Sequence, residues 1–390
     1  MNGIRRPPIS DFIIIAVGIA LAIAIRYSLL NFRSVDYAVY TQHWYTYIKA
    51  HGFSAFNQNF SNYNPPYLYL LYIIIRFFPD LPGLTVTKLP SMIADFACAG
   101  LAYKIVGIKY PKSPIPMFAT FAILFAPTVV LNSAFWGQAD ALYTVALIAC
   151  IYFLLIKQPV LAMFFFGVSV SFKAQAIFLI PLLFALLLRG EIPWKDFLLV
   201  PLIMFLSLVP AWLAGRSLID LLSIYPSQAS QYQQLSMHAP SLLSLIPNSG
   251  RFYPYFYPAG LILAVAVGLL FSIMIYKSQV GLTSSLLIEL SLISVMLMPF
   301  VLPKMLDRYF YPADVLSILF AFYFPRYFYI PIGMNIISFF AYQPTLFQTE
   351  SVAIPVLVLG ILILLAVVIR DAVTTAALAG LSINKKGTTQ

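Results

Sequence analysis

One carboxylate stands among aromatic and amide residues just after the first long apolar segment of the chain. The stretch is NFRSVDYAVYTQHWY, residues 31–45, and Asp36 is its acidic residue. A carboxylate can accept the proton of an attacking hydroxyl, although a lone exposed aspartate is often only solvated. Aromatic rings stack on sugar faces, but they also form belts at membrane surfaces. The stretch therefore offers a candidate base and four candidate sugar ligands, which are Tyr37, Tyr40, His43 and Trp44.

Four other polar stretches interrupt apolar sequence and could bind a phosphate and a sugar. They read NYNPPYLY, NSAFWGQAD, SFKAQ and KMLDRYFYP. The cations Lys173 and Arg308 suit a phosphate group, yet Lys173 could instead snorkel to the membrane boundary. Asp140 could equally cap the helix that follows it. The remaining candidates are Tyr63, Trp136, Gln138, Gln175 and Tyr309.

The composition indicates a protein that lies largely within a membrane. Of 390 residues, 61% are hydrophobic and 9% are charged, whereas soluble domains carry about 25% charged residues. Several apolar runs reach the ~20 residues that cross a bilayer. The net charge of +10 is typical of basic cytoplasmic loops, so we expect no nucleic acid partner. Cys98 and Cys150 fall inside apolar runs and are predicted to pack rather than to pair.

We predict twelve membrane-spanning helices. They lie near 11–30, 87–107, 115–133, 141–157, 159–172, 174–189, 197–214, 257–277, 282–302, 309–325, 327–343 and 352–370. The apolar run 66–80 is short and contains Arg76, so it either crosses as well or forms a short surface helix in the first outer loop. A surface position puts the basic loops and both termini on the cytoplasmic side. The polar stretches that contain Asp36, Asp140 and the two cations then share the outer face.

Six motifs, taken in their order along the chain, resemble the GT-C superfamily of membrane glycosyltransferases. They are SVDYAVYTQHWY, NYNPPYLYLLY, KLPSMIADFACAGLAYKIV, NSAFWGQADALY, SFKAQAIFLIPLL and DRYFYPADVL. More narrowly, they are similar to bacterial integral-membrane mannosyltransferase-like proteins. They are also similar to the endoplasmic reticulum glucosyltransferases that extend the lipid-linked oligosaccharide. The resemblance covers residues 10–185 and 304–318.

The resemblance implies a role for each motif. Asp36 matches the aspartate that activates the acceptor. Pro65 and Pro66 match a helix start, although Asn64 precedes them where the family usually has tyrosine. The aromatic–Gln element expected near the donor sugar corresponds to Trp136, Gln138 and Asp140. The Lys–Gln pair corresponds to Lys173 and Gln175, and the late Arg–Tyr element, expected near the donor phosphate, to Arg308 and Tyr309.

The implied fold is an all-α polytopic membrane bundle with a conserved first part and a variable second part. The conserved module is predicted over 1–214 and contains the first outer loop, 31–83. The variable C-terminal transmembrane module is predicted over 257–390. Between them lies an outer loop, 215–256, which is rich in Gln, Ser and Tyr and matches no motif. We expect this loop to help bind the acceptor.

The predicted function is transfer of a hexose, with mannose or glucose favoured, from a polyprenyl-phosphate donor to a glycan or lipid acceptor. One base suffices for a one-step inverting displacement, whereas a retaining route normally needs a second carboxyl group. Many GT-C proteins need no metal and the first loop has no Asp-x-Asp pair, so we expect no metal or other cofactor. The predicted location is a prokaryotic inner membrane with the site facing outside, or the endoplasmic reticulum membrane of a eukaryote.

A transporter or flippase of a lipid-linked sugar is the main alternative. Transporters often carry internal repeats with broken helices at matching positions, and the sequence shows no such repeat. A third hypothesis is a non-catalytic scaffold of an envelope-assembly complex, which would not depend on Asp36. The identity of the donor sugar, the acceptor and the oligomeric state are left open by the sequence.

Overall fold

The computed structural model describes residues 9–278 and 280–387, with side chains placed from 12 to 375 apart from 279. The chain ends, which are predicted to be cytoplasmic, lie outside these residues. The α-helices are α1 Ile9–Ser28, α2 Gln42–His51, α3 Pro65–Phe77, α4 Gly83–Lys109, α5 Ile115–Leu124, α6 Pro127–Val130, α7 Asp140–Leu155, α8 Pro159–Phe172, α9 Ile180–Leu188, α10 Leu199–Leu213, α11 Leu218–Leu222, α12 Ile224–Ser230, α13 Tyr253–Lys277, α14 Ser284–Val301, α15 Tyr311–Tyr323, α16 Tyr329–Phe347 and α17 Ile354–Gly387.

Short irregular elements connect these helices. Two single-turn π-helices are Tyr37–Thr41 and Leu131–Trp136. The 3₁₀-helices are Gly52–Asn57, Ala174–Leu179, Trp194–Leu198, Leu242–Leu245 and Pro325–Tyr327. Two short strands, β1 Ser236–Met237 and β2 Met305–Leu306, pair in parallel. The fold is therefore all-α, as the sequence predicts, apart from this small strand pair.

Every predicted span coincides with a helical segment, and the chain is a multi-pass membrane protein. Among the described residues, five helices are long and apolar enough to cross a bilayer. They are Gly83–Lys109, Trp194–Leu213, Tyr253–Lys277, Ser284–Val301 and Ile354–Thr375. A sixth span results if Ile115–Leu124 and Pro127–Trp136, which meet at a 46° bend, count together. Several of the other segments are shorter apolar helices, so the count of twelve spans stays a prediction.

Prolines explain where several of these helices begin or bend. Pro65 and Pro66 occupy the first turn of α3, where a missing N–H costs no hydrogen bond. This confirms the predicted helix start, while the membrane position of α3 stays a prediction. Ala126, which precedes Pro127, has an extended ψ of 126° because a residue before proline avoids the helical region. That residue accounts for the bend between α5 and α6.

Helices α4, α7, α14 and α15 form the interior of the bundle. Most side chains of α14 and α7 are buried, and α7 packs between α8 and α4. Cys98 and Cys150 are buried and form no disulfide, which confirms their predicted packing role.

A buried ion pair ties the first helix to this interior. Arg26 and Asp95 are both fully buried, and Nη2 of Arg26 lies 2.9 Å from Oδ2 of Asp95. Ser133 also donates to Oδ2, and the Tyr311 hydroxyl donates to Oδ1 at 3.3 Å. One carboxylate therefore joins α1, α4, the 131–136 turn and α15.

We predict that Arg26→Met lowers the free energy of unfolding by about 3–5 kcal/mol, because Asp95 would be left buried without a counter-charge. The double variant with Asp95→Asn should regain most of the loss. Reversible denaturation in detergent would measure both. Arg76→Met, at an exposed position on α3, is the matched control. Equal stability of Arg26→Met and Arg76→Met would contradict the prediction.

Candidate active site

A cavity of about 450 Å³ is lined by segments that lie far apart in sequence. They come from the first loop, the 137–139 turn, the start of the 174–179 helix, the 225–238 region and residues 302–309. Most of the predicted site residues line this cavity. These are Asp36, Tyr37, Tyr40, Trp44, Tyr63, Gln138, Lys173, Gln175, Arg308 and Tyr309.

Three predicted residues lie elsewhere. Trp136 and Asp140 are buried beneath the cavity and are not part of its wall. His43 lies on the wall of a neighbouring cavity. Because neither side chain reaches the cavity, the positions of Trp136 and Asp140 do not favour direct contact with a sugar.

Asp36 is held by the 131–138 segment. Ser34 anchors the backbone just before it, since its hydroxyl donates to the Trp136 carbonyl at 2.8 Å. The indole N–H of Trp136 donates to Oδ2 of Asp36 at 2.9 Å, and the Gln138 amide donates to the same oxygen. Within the described residues Oδ1 has no hydrogen-bond partner. One carboxylate oxygen is thus fixed, and the other remains available to accept a proton.

Asp140 lies between two cations of the cavity, Lys173 and Arg308. Its Oδ1 accepts a hydrogen bond from Lys173 Nζ at 2.6 Å, and its Oδ2 lies 3.6 Å from Nε of Arg308. Asn132 donates to Oδ2 at 3.0 Å. Ala139, without a side-chain hydrogen bond, is the N-cap of α7. The capping role considered for Asp140 is therefore wrong, and its carboxylate is a counter-ion instead.

Lys173 is directed inward by a break in the helical backbone. It has extended φ and ψ of −149° and 139° between α8 and the next 3₁₀-helix, and it is 8% exposed. Its ammonium lies 5.3 Å from the centre of the Tyr63 ring. Burial lowers the pKa of Lys173, but the charge of Asp140, together with Tyr63 and the hydrogen bond to Asp140, more than offsets this effect, so the pKa of Lys173 lies above its ordinary value. The snorkelling alternative is wrong, because Nζ binds Asp140 in the interior.

Arg308 is held by two carboxylates and one ring. Its Nη1 lies 3.5 Å from Oδ1 of Asp307, and its guanidinium lies 5.2 Å from the centre of the Trp136 ring. Burial lowers the pKa of Arg308, but Asp307 and Asp140 more than offset this and raise it above its ordinary value. Burial also raises the pKa of Asp307 to about 6, although Arg308 beside it acts in the opposite sense. The cavity wall therefore presents a permanently positive guanidinium.

Lys304 is a cavity residue that the sequence analysis missed, although it begins the quoted KMLDRYFYP stretch. It lines the cavity, and its ammonium donates to the Ala229 carbonyl and lies 4.7 Å from the centre of the Tyr257 ring. Its left-handed φ of 62° precedes strand β2. No signal in the sequence separates it from an ordinary loop lysine.

Lys88, also missed, holds the segment that leads to Asp36. Its ammonium donates to the carbonyls of Leu29, Leu30 and Phe32 at 3.1, 3.0 and 2.8 Å. One turn later on α4, the Ser91 hydroxyl donates to the Gln138 carbonyl at 2.6 Å. The same helix therefore fixes both the segment before Asp36 and the turn whose Gln138 amide binds its carboxylate. A lysine inside an apolar span was the available sequence signal.

Part of the predicted outer loop 215–256 closes over the cavity. Strand β1 pairs with β2, and the Asp307 amide donates to the Met237 carbonyl at 3.0 Å. The Gln228 amide donates to the Asn62 carbonyl of the first loop. Both residues line the cavity. The loop is thus fastened to the first loop at one end and to the Arg308 segment at the other.

No protein-family model matches the chain, whereas comparisons with known proteins find a sequence relative and a structural neighbour. A segment of 153 residues, 38% of this chain, is 29% identical to GPI mannosyltransferase 1 of Dictyostelium discoideum. That match covers 32% of the relative, so the chain spans about a third of the length of the curated protein it matches.

The fold is similar to that of ArnT from Cupriavidus metallidurans, whose crystal structure was determined bound to undecaprenyl phosphate. The TM-score is 0.56 at 15% sequence identity, over 94% of this chain and 74% of ArnT. The predicted resemblance to GT-C membrane glycosyltransferases is therefore confirmed at the level of the fold.

We predict that Lys88→Met increases amide hydrogen exchange in residues 29–37. Hydrogen bonds from a charged donor stabilise by about 1.5–3 kcal/mol, so local opening should become about ten-fold or more frequent. Mass-spectrometric exchange on the purified protein measures this change. Lys104→Met is the matched control, because Lys104 is an exposed residue of the same helix. Unchanged exchange in Lys88→Met would show that the three carbonyl contacts do not hold the segment.

Proposed function

We propose that this chain, which has the fold of the GT-C membrane glycosyltransferases, is an inverting glycosyltransferase that uses a polyprenyl-phosphate sugar. One observation carries the proposal: a half-buried carboxylate and two cations held by a buried counter-ion line the same cavity. Transfer from a phosphate-linked donor needs a base for the incoming hydroxyl and positive charge for the leaving phosphate.

In the proposed reaction, Asp36 acts as the base. The acceptor oxygen attacks the anomeric carbon of the donor, and its proton passes to the carboxylate. The bond between the anomeric carbon and the phosphate oxygen breaks at the same time, so the bonding electrons leave with the polyprenyl phosphate. One base and one displacement invert the configuration at the anomeric carbon.

The two cations are proposed to stabilise the departing phosphate. Lys173 and Arg308 both line the cavity, and Tyr309 lies beside them. Asp140 and Trp136 are proposed as positioning residues. Asp140 holds Lys173 and Arg308. Trp136 binds the Asp36 carboxylate and packs against the Arg308 guanidinium. Since two side-chain cations supply the positive charge, we propose that transfer requires no divalent metal.

The donor and acceptor classes are also proposals. The undecaprenyl phosphate bound to ArnT supports a polyprenyl-phosphate donor, and the name of the Dictyostelium relative supports mannose as the sugar. A glycan or lipid hydroxyl on the outer side of the membrane is the proposed acceptor. The tyrosines, tryptophan and amides of the cavity wall suit a sugar ring and its hydroxyls.

We predict that Asp36→Asn lowers sugar transfer by about 10²–10⁴-fold, since an amide cannot accept the proton. Transfer from a panel of radiolabelled polyprenyl-phosphate sugars into membrane lipids and glycans measures this loss. Asp80→Asn is the matched control, because Asp80 is an exposed acid of the same loop. Equal transfer by Asp36→Asn and wild type would remove Asp36 from the mechanism. If the wild-type protein moves the lipid-linked sugar across the membrane of vesicles without transferring it to an acceptor, the flippase hypothesis would be favoured.

We predict that Lys173→Gln lowers kcat/KM for the donor by about 10²-fold, as expected when one charge that stabilises the leaving group is lost. Chelation with EDTA should leave wild-type transfer unchanged, and added Mg²⁺ should not rescue the variant. Steady-state kinetics at varied donor concentration test both statements. Lys157→Gln, whose side chain is 66% exposed, is the control. Loss of wild-type activity on chelation would contradict the metal-free proposal.

A further inference from the structure

A second cavity, of about 520 Å³, adjoins the first. Its volume lies within the ~300–1,000 Å³ of ordinary ligand pockets. It is formed between the first loop and helices α11 and α12. The two cavities share five wall residues, which are Tyr40, Trp44, Asn62, Gln228 and Gln231. A molecule bound in the second cavity would therefore touch the same side chains as one in the first.

The two cavities differ in charge. Among the described residues, the first is lined by Lys173, Lys304 and Arg308, whereas no lysine or arginine lines the second. The acid on the second wall is Asp220. Arg216 donates to Oδ1 of Asn59 from behind this wall but does not line the cavity. A phosphate would therefore face the Asp220 carboxylate without a cation on the wall to bind it. The second cavity is thus unsuited to a phosphate and suited to a neutral ligand.

The wall of the second cavity has the side chains that bind hydroxyl groups. Amides and hydroxyls come from both of its sides, and aromatic rings from the first loop complete it. They include Asn59, Ser227, Gln228 and Gln231, with the rings of Tyr40 and His43. Amide and hydroxyl groups of this kind can both donate hydrogen bonds to the hydroxyl groups of a glycan and accept hydrogen bonds from them.

The wall of the second cavity includes residues that follow Asp36 closely in sequence. Asp36 is the N-cap of the short helix Tyr37–Thr41, and Tyr40 of that helix lines both cavities. One turn of helix therefore separates the carboxylate from the shared wall. A hydroxyl of a ligand that extends past Tyr40 from the second cavity would approach the base.

From these observations we propose that the second cavity binds the neutral glycan portion of the acceptor, while the first binds the phosphate-linked donor. The inference rests on the proposed transferase function, but glycan binding can be measured without transfer. His43, which the sequence analysis placed among the sugar ligands, would act here.

Filling the second cavity tests the inference. Ser227 and Ser230 both lie on α12, but only Ser227 lines the cavity, and Ser230 is exposed. Binding of radiolabelled mannobiose to the purified full chain is measured by equilibrium dialysis without donor. We expect Ser227→Trp to bind at least about ten-fold more weakly than wild type, equivalent to about 1.4 kcal/mol. Ser230→Trp should bind normally, and mannose 1-phosphate should not compete.

A second variant and a kinetic assay separate the possible outcomes. Gln231→Ala removes an amide without adding bulk and should also weaken mannobiose binding. In transfer assays, Ser227→Trp should raise the KM for the acceptor and leave the KM for the donor unchanged. Normal mannobiose binding by both variants would overturn the inference. If the wild-type protein transfers sugar but does not bind mannobiose, the inference about the second cavity is also overturned. The proposed transferase function would stand in that case.

A different pair of results would support the inference and contradict the proposed mechanism. In this case Ser227→Trp loses mannobiose binding, but Asp36→Asn transfers sugar normally. The cavity would then be a glycan site, and the proposed role of Asp36 would fall. The two proposals therefore fail through different measurements.

Discussion

The arrangement of the cavity depends on one buried carboxylate with two cationic partners. Asp140 is fully buried, and it contacts Lys173 through one oxygen and approaches Arg308 with the other. Burying a cation without a partner would cost several kcal/mol, so Lys173 depends on Asp140, whereas Arg308 also has Asp307 as a counter-ion. The carboxylate also joins α7 to the end of α8 and to the segment before α15. The cations of the cavity are thus part of the packing of the bundle.

A second constraint fixes the opposing carboxylate. Helix α4 binds the backbone before Asp36 through Lys88 and the Gln138 carbonyl through Ser91. Gly137 lies in the left-handed region at φ 83°, and a Cβ there would lie 3.2 Å from Cγ of Lys88. The turn that supplies Trp136 and Gln138 is therefore shaped around the same lysine. In the proposed reaction this rigidity would keep the base aligned with the acceptor hydroxyl, as efficient transfer requires.

Charge separates the two adjoining cavities. The cavity at Asp36 holds lysine and arginine side chains, while the cavity beside it is lined by amides, hydroxyls and rings. Because a phosphate and a neutral glycan have different solvation requirements, this difference would direct the donor to the cavity at Asp36 and the acceptor glycan to the cavity beside it. The loop that includes α12 and β1 contributes to both walls, so its attachment to Asn62 and to β2 would couple the two sites.

The apolar runs were sufficient to predict the helical bundle, because segments of that length in a bilayer satisfy their backbone hydrogen bonds as helices. Most of the site residues that the sequence predicted also line the cavity, since polar and ionisable side chains beside apolar helices are costly without a function. It could not determine what those side chains bind. The partnership of Asp140 with Lys173, the support of Asp36 by Trp136, and the roles of Lys88 and Lys304 all join residues that are distant in sequence. Only tertiary packing brings such groups within hydrogen-bond distance, and for that reason capping and snorkelling remained plausible until the structure placed each charge beside its partner.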